Sequence, residues 1–115
     1  FSNTNIIFLT NVKALIKLID EKEVVIISDF GKYNLENFDT IFSKNVIINY
    51  LDNKITSEYL DFSFDRNTLI ISKKVIYNNV DKIMKADVIE MNIKTKDTKI
   101  FMHEDKKKVN IRSKN

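Results

Sequence analysis

Apolar residues along this chain return at every second position in short runs: Val12, Ala14, Ile16 and Leu18; Ile26, Ser28 and Phe30; Ile55, Ser57 and Tyr59; Met84, Ala86 and Val88. Successive side chains of an extended backbone point to opposite faces, so this alternation, carried by Ile, Val, Phe, Tyr and Thr, predicts strands with one face turned to a core. Further strands are predicted at Ile6 to Phe8, Val24 to Ile27, Thr98 to Met102 and Lys108 to Ile111, and no helix is predicted.

The phase of the alternation flips at one equivalent place in three of the runs. Ile26, Ser28 and Phe30 give way to Tyr33 and Leu35; Ile55, Ser57 and Tyr59 to Leu60, Phe62 and Phe64; Met84, Ala86 and Val88 to Ile89, Met91 and Ile93. A parity change within a continuous strand requires a bulge or bend that turns both halves toward one core. Gly31, the sole glycine, is expected at that bend in the first run.

These flips recur with a period of 29 residues, because Ser28-Asp29, Ser57-Glu58 and Ala86-Asp87 are in phase and Phe42, Ser43-Lys44 and Val46 fall on Ile71, Ser72-Lys73 and Val75. Such self-similarity is the mark of a repeat-built fold. Asn11-Val12 resembles Asn45-Val46, so a partial copy opens the chain. The small residue before each bend predicts close backbone approach. The acids after it, Asp29, Glu58 and Asp87, form a solvent-facing row at the corner and not an acid/base pair. Turns are expected at Leu51 to Lys54, Phe64 to Asn67, Val80 to Lys82 and Thr95 to Asp97, with Asn and Asp taking the left-handed backbone that glycine would ordinarily supply.

Two long bent strands per unit suit a chain that passes between two sheets. The expected fold is all-β: an antiparallel two-sheet open jelly roll built from 29-residue bent-hairpin repeats, a single domain over residues 1–115. Its interior would be lined by Phe30, Tyr33, Phe42, Ile48, Tyr50, Tyr59, Phe62, Phe64, Ile71, Tyr77, Val88, Met91, Ile100 and Met102. An ordinary packed core and a ligand cavity both fit that lining. The terminal strands of such a stack leave unpaired N–H and C=O groups that can add a strand from another chain.

Composition removes most chemistry. With no Cys, no Pro, no Trp, one Gly and one His, cysteine metal sites, thiol catalysis, Gly-rich phosphate loops and paired-His metal motifs are excluded. His103 lies in the charged run His103 to Lys108, which reads as a solvated turn and not as part of a triad. The net charge of +3 is concentrated in the second half, chiefly in Lys106, Lys107, Lys108, Arg112 and Lys114. No aromatic residue interleaves with these bases, so nucleic acid is not the expected partner. Phe1 is not an initiator Met, and the expectation is a mature or excised piece from which an N-terminal targeting or membrane segment is absent.

The units resemble the repeat of the OstA-like lipopolysaccharide-transport family: a small residue and an acid, three residues, a large apolar residue and then Asn or Asp, followed further on by a polar residue and a Val that opens the next strand. The resemblance is carried by Ser28-Asp29, Tyr33-Asn34 and Asn45-Val46, by Ser57-Glu58, Phe62 and Lys74-Val75, and by Ala86-Asp87 and Met91-Asn92. It extends over about residues 6 to 111, and the third unit is most similar to the periplasmic domain of the family's LptC branch. Where the family carries glycine before the Val, this chain has Asn45 and Lys74.

The resemblance implies a non-enzymatic periplasmic carrier or bridge component of lipopolysaccharide export, anchored to the inner membrane by an absent N-terminal helix and using no cofactor or metal. Acyl chains would be held between the sheets by Phe30, Tyr33, Phe42, Ile48, Tyr50, Tyr59, Phe62, Ile71, Tyr77 and Met91. The strand at Ile6 and Phe8 would face an inner-membrane ABC transporter, and that at Lys108, Val109 and Ile111 a periplasmic bridge jelly-roll protein. End-to-end homo-oligomers fit the same scheme. The alternative reading is a repeat-built β scaffold that binds proteins through its edge strands and holds no lipid.

Overall fold

The computed structural model describes residues 5–18, 20–102 and 107–112, with only the backbone given for 102 and 107–112. The alternating runs form eight strands among the described residues: β1 (Ile6–Lys17), β2 (Glu23–Asn34), β3 (Thr40–Tyr50), β4 (Asn53–Ser63), β5 (Thr68–Asn79), β6 (Lys82–Asn92), β7 (Asp97–Met102) and β8 (Lys107–Arg112). They join in chain order into one antiparallel sheet, each strand paired with the next, and no described residue is helical.

A line of irregular pairing crosses this sheet. Between Ser43 and Val46, β3 holds one residue more than β2 or β4 does opposite it, and β5 does the same between Ser72 and Val75. The surplus is taken up by two successive left-handed residues, Lys44 (φ 69°) and Asn45 (φ 52°) in β3 and Lys73 (φ 69°) and Lys74 (φ 57°) in β5. Asn11 of β1 is left-handed as well (φ 51°), at the place of the partial copy. The even strands carry the predicted parity flip once per repeat, but it falls before Phe30, Tyr59 and Val88 and not after them. Ser28 and Gly31, Ser57 and Leu60 are buried on either side of the step, and Ala86 and Ile89 flank it in β6.

The bend therefore lies at Ser28-Asp29 opposite Lys44-Asn45, and Gly31 is not its hinge. Gly31 has a negative φ and pairs with Leu9 and Phe42 beyond the bend. It is required for space: a Cβ there would meet Val12 Cγ2 at 2.9 Å. The small residues before the bend do more than yield room. Buried Ser28 donates its hydroxyl to the Phe30 carbonyl at 2.9 Å, and buried Ser57 repeats the bond to Tyr59 at 3.2 Å, so each buried hydroxyl finds its partner in the backbone two residues on. On the outer side Asn45 donates to Asp29 from its side chain (2.7 Å) and to Glu58 from its backbone N–H (3.4 Å), which ties the predicted acidic row to the bulge.

Left-handed residues also end the hairpins, at Phe38, Asn67 and Lys96, each 29 residues after the last. Asn and Asp do not fill most of these positions, contrary to the expectation from composition; Glu21, Phe38, Leu51 and Lys96 do. Asn instead acts through its side chain. Asn34 Oδ1 accepts the N–H of Glu36, and Asn92 Oδ1 accepts those of Lys94 and Thr95, closing equivalent turns in the first and third units.

Both halves of the bent sheet bury their inner rows. Beyond the bend runs Gly31, Phe42, Leu60, Ile71, Ile89 and Ile100, register partners from β2 to β7; before it runs Ala14, Ile26, Ile48, Ile55, Tyr77 and Met84. Leu60, Leu69, Ile71, Val46 and Val75 are almost fully excluded from solvent. Truncating Leu60 to Ala would cost about 2–5 kcal/mol.

Candidate functional site

Bending the sheet brings together side chains from strands that share no hydrogen bonds, and it leaves two spaces between them. The first is a cavity of about 130 Å³. Val24, Ile48, Tyr50, Ile55 and Tyr77 line it from before the bend, and Ile89, Met91, Ile93 and Ile100 from beyond it. Apart from the hydroxyls of Tyr50 and Tyr77, polar side chains in the lining are Asn53, Asn92, Lys96 and Thr98. Asn53 Oδ1 accepts both the Tyr77 hydroxyl (2.7 Å) and the Asn79 amide (2.6 Å), so the phenol presents its ring to the cavity with its polar end satisfied.

At one corner of this cavity the two halves are joined by an ion pair. Lys96, in the turn between β6 and β7, donates to Asp20, in the turn between β1 and β2. Only 13% of the lysine side chain is exposed, because its stem lies along the cavity wall. Asp20 also accepts the backbone N–H of Lys22 at 3.2 Å, and the Lys22 ammonium lies 3.8 Å away. The hydrogen bond from Lys96, reinforced by the Lys22 N–H and by both charges, holds the Asp20 carboxyl below the usual carboxylate range despite some desolvation.

The second space is an open groove of about 500 Å³ where Leu9, Val12, Ala14 and Ile16 of β1 face Tyr33, Phe38, Phe42, Phe62 and Phe64. Its aromatic side is continuous: Phe38 stands edge-on to Phe64 at 5.4 Å between ring centres, Phe64 edge-on to Phe62 at 6.4 Å, and Tyr33 lies 6.3 Å from Phe38.

The residues expected to hold a ligand divide among these places. Ile48, Tyr50, Tyr77 and Met91 line the cavity; Tyr33, Phe42 and Phe62 line the groove; Ile71 is fully buried and lines neither. Phe30 and Tyr59 are corrected. Both lie in the register row Thr10, Phe30, Ser43, Tyr59, Ser72, Val88, Phe101 on the outer face, since the parity flip comes before them and not after. Phe30 is 47% exposed, and Tyr59 lies beneath the Lys73 ammonium at 5.1 Å from the ring centre. Val88 shares that outer row, and Phe64, though it borders the groove, is half exposed in its turn.

At the edges, Ile6 and Phe8 lie on β1, with Phe8 75% exposed and the Lys32 ammonium 5.7 Å from its ring. Lys108, Val109 and Ile111 lie on β8, which pairs with β7; their side chains, and all of His103, fall outside the described residues. Sequence reasoning missed Asp20, Lys96 and Phe38. The signal for Phe38 was its position one repeat before Asn67, where an aromatic stands in a turn; nothing local marks Asp20 as the partner of a lysine 76 residues away. No group of acidic or His side chains among the described residues is arranged to hold a metal. No protein-family model matches the chain, and no curated protein matches it.

Proposed function

We propose that this protein is a non-enzymatic carrier of acyl chains, acting in the periplasm as a component of lipopolysaccharide export that receives lipid from an inner-membrane ABC transporter and passes it to a bridge protein of the same build. The bent sheet is read as an open jelly roll, with its two halves serving as the facing layers. The observation that carries this reading is the pair of apolar spaces between those halves. Each CH₂ moved from water into such a space contributes about 0.8 kcal/mol, and a space with an open side lets the chain leave again. The left-handed backbone at Asn45 and Lys74 supports the resemblance to the transport family, because these are the positions where the family's repeat carries glycine.

Photo-crosslinking in cells tests the proposal. A photoreactive residue at Tyr77 or Phe62 is expected to capture lipopolysaccharide, and one at Phe30 or Tyr59 on the outer face is not. Equal capture from both faces, or none from the inner positions, would overturn it.

One observation favours a second reading, that of a scaffold binding proteins through its edges. Strand β1 is an edge of the sheet and exposes Phe8 and Leu15, at 75% and 60%. In that case Phe8→Lys abolishes partner capture while lipid adducts at Tyr77 are absent from the start.

A further inference from the structure

The smaller of the two apolar spaces ends at a cation whose anion contact the protein itself holds occupied. We infer that Lys96 binds the anionic head of a single-chain amphiphile whose tail enters the cavity, and that Asp20 competes with the head group for that lysine. This rests on the acyl-chain-carrier part of that reading and assigns to the smaller cavity a single-chain ligand distinct from the multi-chain cargo proposed for the molecule.

Size sets the tail. A cavity near 150 Å³ accommodates a six-carbon ring, so the 130 Å³ here takes about six carbons of one chain and not a bundle of chains. Charge sets the head. Among the residues lining the cavity Lys96 is the sole charged one, and its backbone N–H bonds the carbonyl of Asn92, another polar residue of the lining. A chain that fills the apolar part therefore leaves its polar end near a cation and near no carboxylate of the lining. The lysine is held by Asp20, which lies on a different hairpin turn and contributes nothing to the lining. An entering anion replaces that carboxylate. The exchange also releases the bond joining the turns of β1–β2 and β6–β7, so loading the cavity and loosening its corner are one event.

The competition is measurable with octanoate and octan-1-ol, which share a tail and differ in head charge. Binding is followed by NMR through the methyl groups of Ile55 and Met91 in the wild type, in Asp20→Asn and in Lys96→Gln. Removing the competing carboxylate should raise octanoate affinity about two- to fivefold, the range of a partly exposed ion pair, and leave octanol unchanged. Lys96→Gln should abolish any preference for octanoate over octanol. If both ligands bind every variant with an unchanged ratio, the competition is refuted and the carrier reading stands. If neither ligand binds any folded variant, both fall.

Discussion

Gly31 and Asp20 act through space and charge, and each makes a prediction of its own. Because a methyl at Gly31 would lie 2.9 Å from Val12 Cγ2, Gly31→Ala overpacks the interior face and should cost about 1–3 kcal/mol. Pairing it with Val12→Ala should recover part of that loss, and chemical denaturation of the four proteins in the cycle reads the coupling directly. Additive losses would mean that the strain lies in the backbone. For Asp20 the sign follows from its lowered pKa. The folded state favours the ionised carboxylate, first through the hydrogen bond from Lys96, so its stabilising effect is present above the unfolded carboxylate value and lost as pH falls through the lower folded one. The Asp20 carboxyl carbon, followed by NMR, should titrate below the ordinary range in the wild type and move up toward it in Lys96→Gln. A titration that does not move would show that the pair is not formed in solution.

At the level of the strand, the surplus residue in β3 and in β5 is what makes a repeat of alternating residues into a bent sheet. Left-handed backbone costs a residue with a Cβ about 1 kcal/mol or more, least for Asn and most for a β-branched side chain. Lys74→Gly should therefore stabilise the protein by about 0.5 kcal/mol after the greater freedom of the unfolded chain is counted, and Lys74→Val should destabilise it by about 1–2 kcal/mol. Thermal unfolding gives the order, and equal stability of the Gly and Val variants would remove the left-handed backbone as the cause. Deleting Lys74 outright is a different perturbation. It would bring β5 level with β4 and β6 and turn Val75 and Tyr77 to the outer face, so loss of the cooperative transition is expected. The motif itself, a small residue, an acid and a shift of phase, was readable from the sequence because its period of 29 residues places equivalent side chains in register across the sheet.

Across the whole molecule, protection should fall from the middle of the sheet to its edges. Every strand from β2 to β7 is bonded on both sides, while β1 and β8 have one neighbour each among the described residues. The fully buried side chains are spread over those six doubly bonded strands, from Val24 and Ile26 in β2 through Val46, Leu60, Ile71 and Val75 to Ile89 in β6 and Ile100 in β7. Amide hydrogen exchange should be slowest in the doubly bonded strands β2 to β7 and fastest in β1 and β8, with the N–H groups flanking the bulges intermediate. Uniform protection across the sheet would instead indicate a second chain covering the edges. The Asp20–Lys96 pair belongs to this scale as well, since it joins turns from opposite ends of the strand order and closes the corner of the cavity.

The sequence alone determined the strands, their period of 29 residues, the parity flip and the small residues beside it, because alternation and repetition are local properties of an extended chain. Only the tertiary structure decided which side of the flip is interior. Parity relates one residue to the next and says nothing of where the step falls between Ser28 and Gly31, a difference of two residues that sent Phe30 and Tyr59 outward. Tertiary structure likewise decided that Gly31 serves close packing and not the bend, and that Asp20 meets Lys96. Both depend on how sharply two left-handed residues fold the sheet, and that angle is set by the packing of its inner rows and not by any residue read singly.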